Sequence, residues 1–144
     1  MSKSNIRAFF KDKKAIKENA FYAVTKSLCE DDGAPLLWEI KPVSTKENER
    51  IQEECTTEIP VPGKRGQYRQ KMNGSLYGVK LLVASVAFPD LFSAELQDSY
   101  GVKTPEALIM EIVDDSGEWN NFIEFVNKFN GFVPIQDEID DAKN

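Results

Sequence analysis

The chain has 144 residues, 41% of them hydrophobic and 29% charged, with a net charge of −6. That length and balance suit one soluble globular domain that buries its own core without a staple. The acidic excess argues against a general nucleic-acid binder, which needs surplus Lys and Arg to displace counterions.

Residues 1–18 are polar and basic and read as a weakly ordered arm or a short helix; residues 19–144 are expected to form a single domain. Met1–Lys14 lacks the pattern of a signal peptide. The longest apolar run, Leu81 to Phe88, falls far short of the ~20 residues that span a bilayer. No membrane partner is expected, and the protein should stay where it is made.

From Ala20 to Leu28 the residues are aromatic and β-branched. Glu30-Asp31-Asp32-Gly33 supplies a turn, and Leu36 to Lys41 follows as a second extended run. An Asp-Gly step between two such runs predicts a hairpin, with Tyr22, Val24, Leu28, Trp38 and Ile40 on its buried face. Pro42 ends the second strand. Ser44-Thr45-Lys46-Glu47 opens a helix to about Thr56, whose apolar marks are Ile51 and Cys55, one turn apart. Pro60, Pro62, Gly63 and Gly66 then mark an exposed loop.

Asn73-Gly74 starts a helix that is apolar on nearly every side and runs to Phe88 before Pro89, the pattern of a central element. Ser93 to Tyr100 reads as a short helix stopped at Gly101. Thr104-Pro105-Glu106 combines an N-cap, a first-position Pro and an acid near the positive dipole end. Leu108, Ile109, Ile112 and Val113 form that helix's apolar face. Asp115 to Glu118 caps a further helix, in which Trp119, Phe122, Ile123, Val126 and Phe129 keep an amphipathic period until Asn130-Gly131. A last acidic helix is expected from Pro134. The whole reads as α+β and mainly helical: an N-terminal β-hairpin, then about five to six helices around one core.

Catalytic chemistry finds little support. The chain contains no histidine, which removes the usual neutral-pH base, the Ser-His and Cys-His pairs and the commonest zinc ligand. Cys29 and Cys55 sit in unrelated surroundings and read as free thiols. Gly63-Lys64-Arg65-Gly66 lacks the spacing of a phosphate loop. Glu53-Glu54 and Asp114-Asp115 are neighbours that point apart on a helix. Asp31 and Asp32 are not followed by calcium-loop spacing. No catalytic residue, cofactor or metal site is assigned.

Binding surfaces are easier to nominate. Lys64, Arg65, Gln67, Tyr68 and Arg69 place Arg and Tyr together on a flexible segment, a combination enriched at hot spots; the alternative is a solvated basic loop paired with the acidic surface. Trp119, Phe122 and Phe125 present an aromatic helix face, which either accepts a partner's helix or fills the domain's own core. The acids Asp137, Glu138, Asp140 and Asp141 crowd the C-terminus.

Several stretches together resemble one family. They are Trp38-Glu39-Ile40-Lys41-Pro42, Glu54-Cys55-Thr56, Val61-Pro62-Gly63-Lys64-Arg65-Gly66-Gln67-Tyr68, Ala94-Glu95-Leu96-Gln97-Asp98-Ser99-Tyr100-Gly101-Val102 and Asn130-Gly131-Phe132. They are similar to the tail assembly chaperones of contractile-tailed phages and of PBSX-like defective prophages, in order over residues 19–144. The resemblance implies a helical protein with a small β element that binds the tape-measure protein and keeps it soluble until tail tube subunits polymerise around it. It further implies a place in the cytoplasm of the bacterial host and absence from the mature particle. The tail tube protein and a second copy of the chain are further expected partners; a structural tail or portal-associated protein is the competing reading. In related systems a ribosomal frameshift near the stop codon yields a longer product, and Ala142-Lys143-Asn144 is compatible with a slippery run such as A-AAA-AAC.

Overall fold

The structure, a computed structural model, describes residues 5–132. Two short 3-10 turns, Ile6–Phe9 and Lys11–Lys13, come first. Strand β1 (Ala20–Tyr22) then pairs antiparallel with β2 (Trp38–Ile40), setting Ala20 against Ile40 and Tyr22 against Trp38. The chain continues through helix α1 (Thr45–Glu54), strands β3 (Thr56–Pro60) and β4 (Tyr68–Met72), helix α2 (Gly74–Ser85) and strand β5 (Val86–Phe88). Helices α3 (Ala94–Ser99), α4 (Pro105–Ile112) and α5 (Ser116–Asn130) complete the described residues. Strand β5 joins the free edge of β2, giving one sheet in the order β1-β2-β5; β3 and β4 form a second sheet by themselves.

Local chemistry sets the helix starts. The side chains of Ser44, Asn73, Ser93, Thr104 and Asp115 each accept the N–H of the residue three positions on, filling a donor the helix itself cannot satisfy. Pro105 occupies the first turn of α4, where its missing N–H costs nothing. Helix α2 is the hub: it packs against α1, α4, α5 and β5. Its consecutive Leu81, Leu82 and Val83 are all buried, as an element with neighbours on most sides requires. The core gathers Trp38 and Ile40 from the sheet with Leu82, Leu91, Leu108, Ile109, Phe122 and Val126 from the rest.

The expectation of an N-terminal hairpin followed by five to six helices needs three corrections. The turn at Asp32-Gly33 does form, with Glu30 N–H donating to Ala34 O at 2.7 Å and Leu36 N–H to Leu28 O at 3.0 Å. It does not propagate into a ladder: Cys29 and Pro35 make a single isolated bridge, and Pro35 has no N–H to extend it. Upstream, Thr25 and Lys26 turn away to bind helix α5, and Val24 and Leu28 belong to no strand.

Second, the sheet has a third strand taken from the run read as helix up to Phe88. Ser85 ends α2 because its carbonyl accepts Lys41 N–H at 2.8 Å, which lays Val86 beside Ile40. Val86 and Phe88 favour extended structure, and the otherwise bare edge of β2 offers them partners. Third, the segment read as the end of a helix and an open loop contains the β3–β4 sheet, and five α-helices are present among the described residues. The acidic helix expected from Pro134 lies outside them.

Candidate partner-binding surface

The β3–β4 sheet is a two-stranded ribbon raised on a pair of packed helices. At its base Asn73 N–H donates to Cys55 O at 2.8 Å, joining the end of α1 to the cap of α2. Above the base the ladder runs from Thr56–Met72 to Pro60–Tyr68, and Val61 N–H donates to Gln67 O at 3.0 Å beyond it. Every residue of β4 is exposed. The tip is two consecutive turns: Lys64 N–H donates to Val61 O at 3.2 Å and Gln67 N–H to Lys64 O at 3.3 Å. Each has glycine third, Gly63 at φ 75° and Gly66 at φ 79°. Pro62 stands second in the first turn. Positive φ at the third position is the demand of a type II turn, which Gly meets without strain.

This register decides which of the sequence-nominated residues act together. Opposed residues share a face and neighbours alternate. Tyr68 therefore lies with Pro60, Gln70 and Met72, whereas Arg69 lies with Ile59, Thr57 and Lys71 on the other side. Lys64 and Arg65 occupy the tip, and Gln67 sits beside Val61. Tyr68 and Met72 are exposed, at 62% and 41%. Among the described residues the four ion pairs join Arg50 to Glu54, Lys80 to Glu54 and Glu106, and Lys128 to Glu124. Lys64, Arg65, Arg69 and Lys71 enter none of these, so the ribbon holds cations without an ion pair among the described residues. A concavity of about 480 Å³ opens inside the tip between Pro60 and Tyr68.

The aromatic face of α5 has a different fate. Phe122 is fully buried, and its ring meets Trp38 edge-on at 5.9 Å and stacks on Tyr22 at 5.9 Å. Tyr22 stacks in turn on Phe125 at 4.2 Å, and Phe125 on Phe129 at 6.1 Å. Lys17 ends the row, its Nζ 4.4 Å from the Phe129 ring centre and donating to the Phe129 carbonyl. Phe122 and Phe125 thus clamp the helix to β1 and β2. Trp119 is half-buried and lines a shallow hollow of about 210 Å³ together with Met110, which is exposed. Of the three aromatics nominated on α5, Trp119 has this hollow beside it.

A second tie holds the same helix. The Thr25 hydroxyl donates to Glu118 Oε1 at 2.7 Å and Lys26 N–H donates to Oε2 at 2.8 Å, leaving the Ser27 hydroxyl to donate to Thr25 Oγ1. Glu118 serves the β1–β2 connection here, although its spacing from Asp115 is that of a capping box. Sequence spacing could not reveal a bond across more than ninety residues.

Electrostatics below the ribbon centre on Lys80. Its hydrogen bond to Glu54, aided by its charge and by Arg50, holds the Glu54 carboxyl below the usual carboxylate range against the opposing effect of burial. Burial acts to lower Lys80, but the hydrogen bonds and charges of Glu54 and Glu106 outweigh it and raise the ammonium. Burial pushes the Cys55 thiol up and does the same to the Tyr77 phenol. Cys29 is exposed and Cys55 buried, both as free thiols. Among the described residues no group of three or more Cys, Asp or Glu side chains is placed to hold a metal ion, and no helix is long and apolar enough to cross a membrane.

Comparison with known proteins places these features in context. The sequence profile described as "Phage XkdN-like tail assembly chaperone protein" matches residues 6–143. The phage-like element PBSX protein XkdN of Bacillus subtilis (strain 168) is 24% identical over 139 residues, covering 95% of this chain and 93% of that protein. The crystal structure of the protein yqbn superposes with a TM-score of 0.75 at 16% identity, over 92% of this chain and all of the other, which shows a shared fold.

Proposed function

This chain belongs to the XkdN-like phage tail assembly chaperone family, and from that premise we propose that it binds the tape-measure protein of its tail and keeps it soluble while tail tube subunits assemble around it. It works in the cytoplasm of the bacterial host and is left out of the finished particle. The observation that carries this reading is the ribbon. It offers cations without an ion pair among the described residues, an exposed Tyr68 and Met72, and strand edges, all on a platform whose own stability lies elsewhere. A long apolar client finds contacts there, while the net charge of −6 helps keep the loaded protein soluble. Lys64, Arg65, Gln67, Tyr68 and Arg69 are assigned to client contact, with Trp119 and its hollow as an apolar neighbour site.

Co-expression tests it. The soluble fraction of the tape-measure protein should rise severalfold with this chain and fall back when Arg65→Glu and Arg69→Glu are combined. A client equally insoluble with and without the chain removes the proposal. Recovery of the chain in fixed stoichiometry from purified tails would assign it a structural role instead.

A further inference from the structure

The stretches before β1 and after α5 carry opposite charge. Between residues 5 and 19 five cations, Arg7, Lys11, Lys13, Lys14 and Lys17, outnumber two acids, Asp12 and Glu18. Beyond the described residues, 133–144 hold four acids, Asp137, Glu138, Asp140 and Asp141, against Lys143. The surplus is three charges on each side, of opposite sign. The arm's cations enter no ion pair among the described residues, and Glu124 on α5 is taken up by Lys128 at 2.9 Å.

The arm is also apolar and bare. Ile6, Phe9, Phe10 and Ile16 are 52–89% exposed. Ile6 and Phe9, three apart on a 3-10 turn, eclipse one another and stand on one side. Exposed apolar clusters rimmed by charge mark interaction sites. The acidic stretch has apolar marks to match, with Ile135 and Ile139 set among its acids.

Position decides what covers the arm. Lys17 lies over the Phe129 ring, its Nζ 4.4 Å from the centre, and donates to the Phe129 carbonyl. That carbonyl belongs to the last turn of α5, where partial negative charge suits a cation. Gly131 then closes the helix at φ 76°, and Phe132 N–H donates to Asn127 O at 2.8 Å. The chain therefore leaves α5 beside the root of the arm. Asp137 to Asp141 follow Phe132 closely enough to reach about 17–30 Å from it when extended. The ribbon's cations are more distant. Asn130 Oδ1 accepts Val43 N–H at 2.8 Å, next to the start of α1, whereas the ribbon rises from the other end of that ten-residue helix, about 15 Å further on. A segment tethered so near the arm meets it at high effective concentration.

We infer that the acidic stretch at 137–141 docks on the basic arm of the same chain and clasps it at the end of α5. Asp137, Glu138, Asp140 and Asp141 neutralise Lys11, Lys13 and Lys14, while Ile135 and Ile139 shield the arm's apolar side chains. The clasp does not depend on what the ribbon binds.

Limited trypsin digestion of the full chain, read by mass spectrometry, carries its own control. Changing Asp137→Asn, Glu138→Gln, Asp140→Asn and Asp141→Asn together should speed cutting after Lys13 and Lys14 severalfold and leave cutting after Lys64 and Arg65 unchanged. Added salt should do the same to the parent chain. In a Cys29→Ser background, Ile16→Cys with Ile139→Cys should form a disulfide within one chain. Reversing Lys11, Lys13 and Lys14 to Glu should slow its formation about tenfold, and adding Asp137→Lys, Asp140→Lys and Asp141→Lys should restore it. The three lysines are exposed, and circular dichroism checks that each variant keeps the fold. Faster cutting at the ribbon instead of the arm, a disulfide that joins two chains, or rates indifferent to these charges would each overturn the inference.

Discussion

The three-stranded sheet and the β3–β4 ribbon are both short antiparallel ladders, yet they solve opposite problems. In the first, Trp38 and Ile40 are almost wholly buried in the core, and Tyr22 and Trp38 meet the rings of α5. In the second, all of β4 faces solvent, and the strands are held by their backbone ladder, two glycine turns and the packed helices beneath. Burial ties a side chain to the free energy of the fold; exposure releases it for recognition. Substitutions should therefore separate the two regions, with stability lost from the first and binding from the second.

The largest effect is expected at the hinge of the aromatic stack. Phe122→Ala empties a fully buried site between Tyr22 and Trp38 and should cost about 3–5 kcal/mol in denaturant unfolding. A loss under about 1 kcal/mol would mean that the stack is not what holds sheet to helix. Next comes Glu118→Ala, which deprives the buried Thr25 hydroxyl and Lys26 N–H of their acceptor; about 1–3 kcal/mol should disappear, with protection of the residue 25–27 amides in hydrogen exchange lost too. Asn73→Ala removes the cap of α2 beside the ribbon base and should cost about 1 kcal/mol by thermal unfolding.

Tyr68→Ala and Arg69→Ala come last on this scale, each within about 0.5 kcal/mol of the parent. On opposite faces of the ribbon, they should differ in binding: loss at Arg69 fades with added salt, and loss at Tyr68 does not. Equal salt dependence would show that both faces meet the partner in the same way.

Acidity provides a further cut, again on the platform below the ribbon. Cys55 and Tyr77 are pushed up by burial, so each ionises less readily folded than unfolded. Their effect is silent below the ordinary thiol and phenol values, and stability falls as pH rises past those values. Lys80 is raised on balance, so its contribution is complete below the ordinary ammonium value and declines as pH climbs through the folded one. Glu54 is held low, so its contribution exists above the ordinary carboxylate range and fades as pH falls. With no histidine in the chain, stability should be nearly flat from about pH 6 to 8. A step near pH 6.5 in a pH series of unfolding midpoints would contradict this.

What the linear chain determined by itself is local. Five helix starts follow from Ser44, Asn73, Ser93, Thr104 and Asp115, because a cap acts within three residues and needs no partner from elsewhere. The period of Trp119 to Phe129 likewise marks α5 without help from the rest, and the cations at 64–71 announce a charged surface. Tertiary structure decided the rest. Val86 to Phe88 reads as helix until Lys41 takes the Ser85 carbonyl and β2 offers an edge. The ribbon has no alternating apolar code, since neither of its faces is buried, and so it passes for a loop. Tyr68 and Arg69 look like one patch until the pleat turns them apart, and Phe122 and Phe125 look like a docking face until Tyr22 and Trp38 claim them. Pairing between distant segments is paid for by the whole fold, and no window of sequence contains both partners.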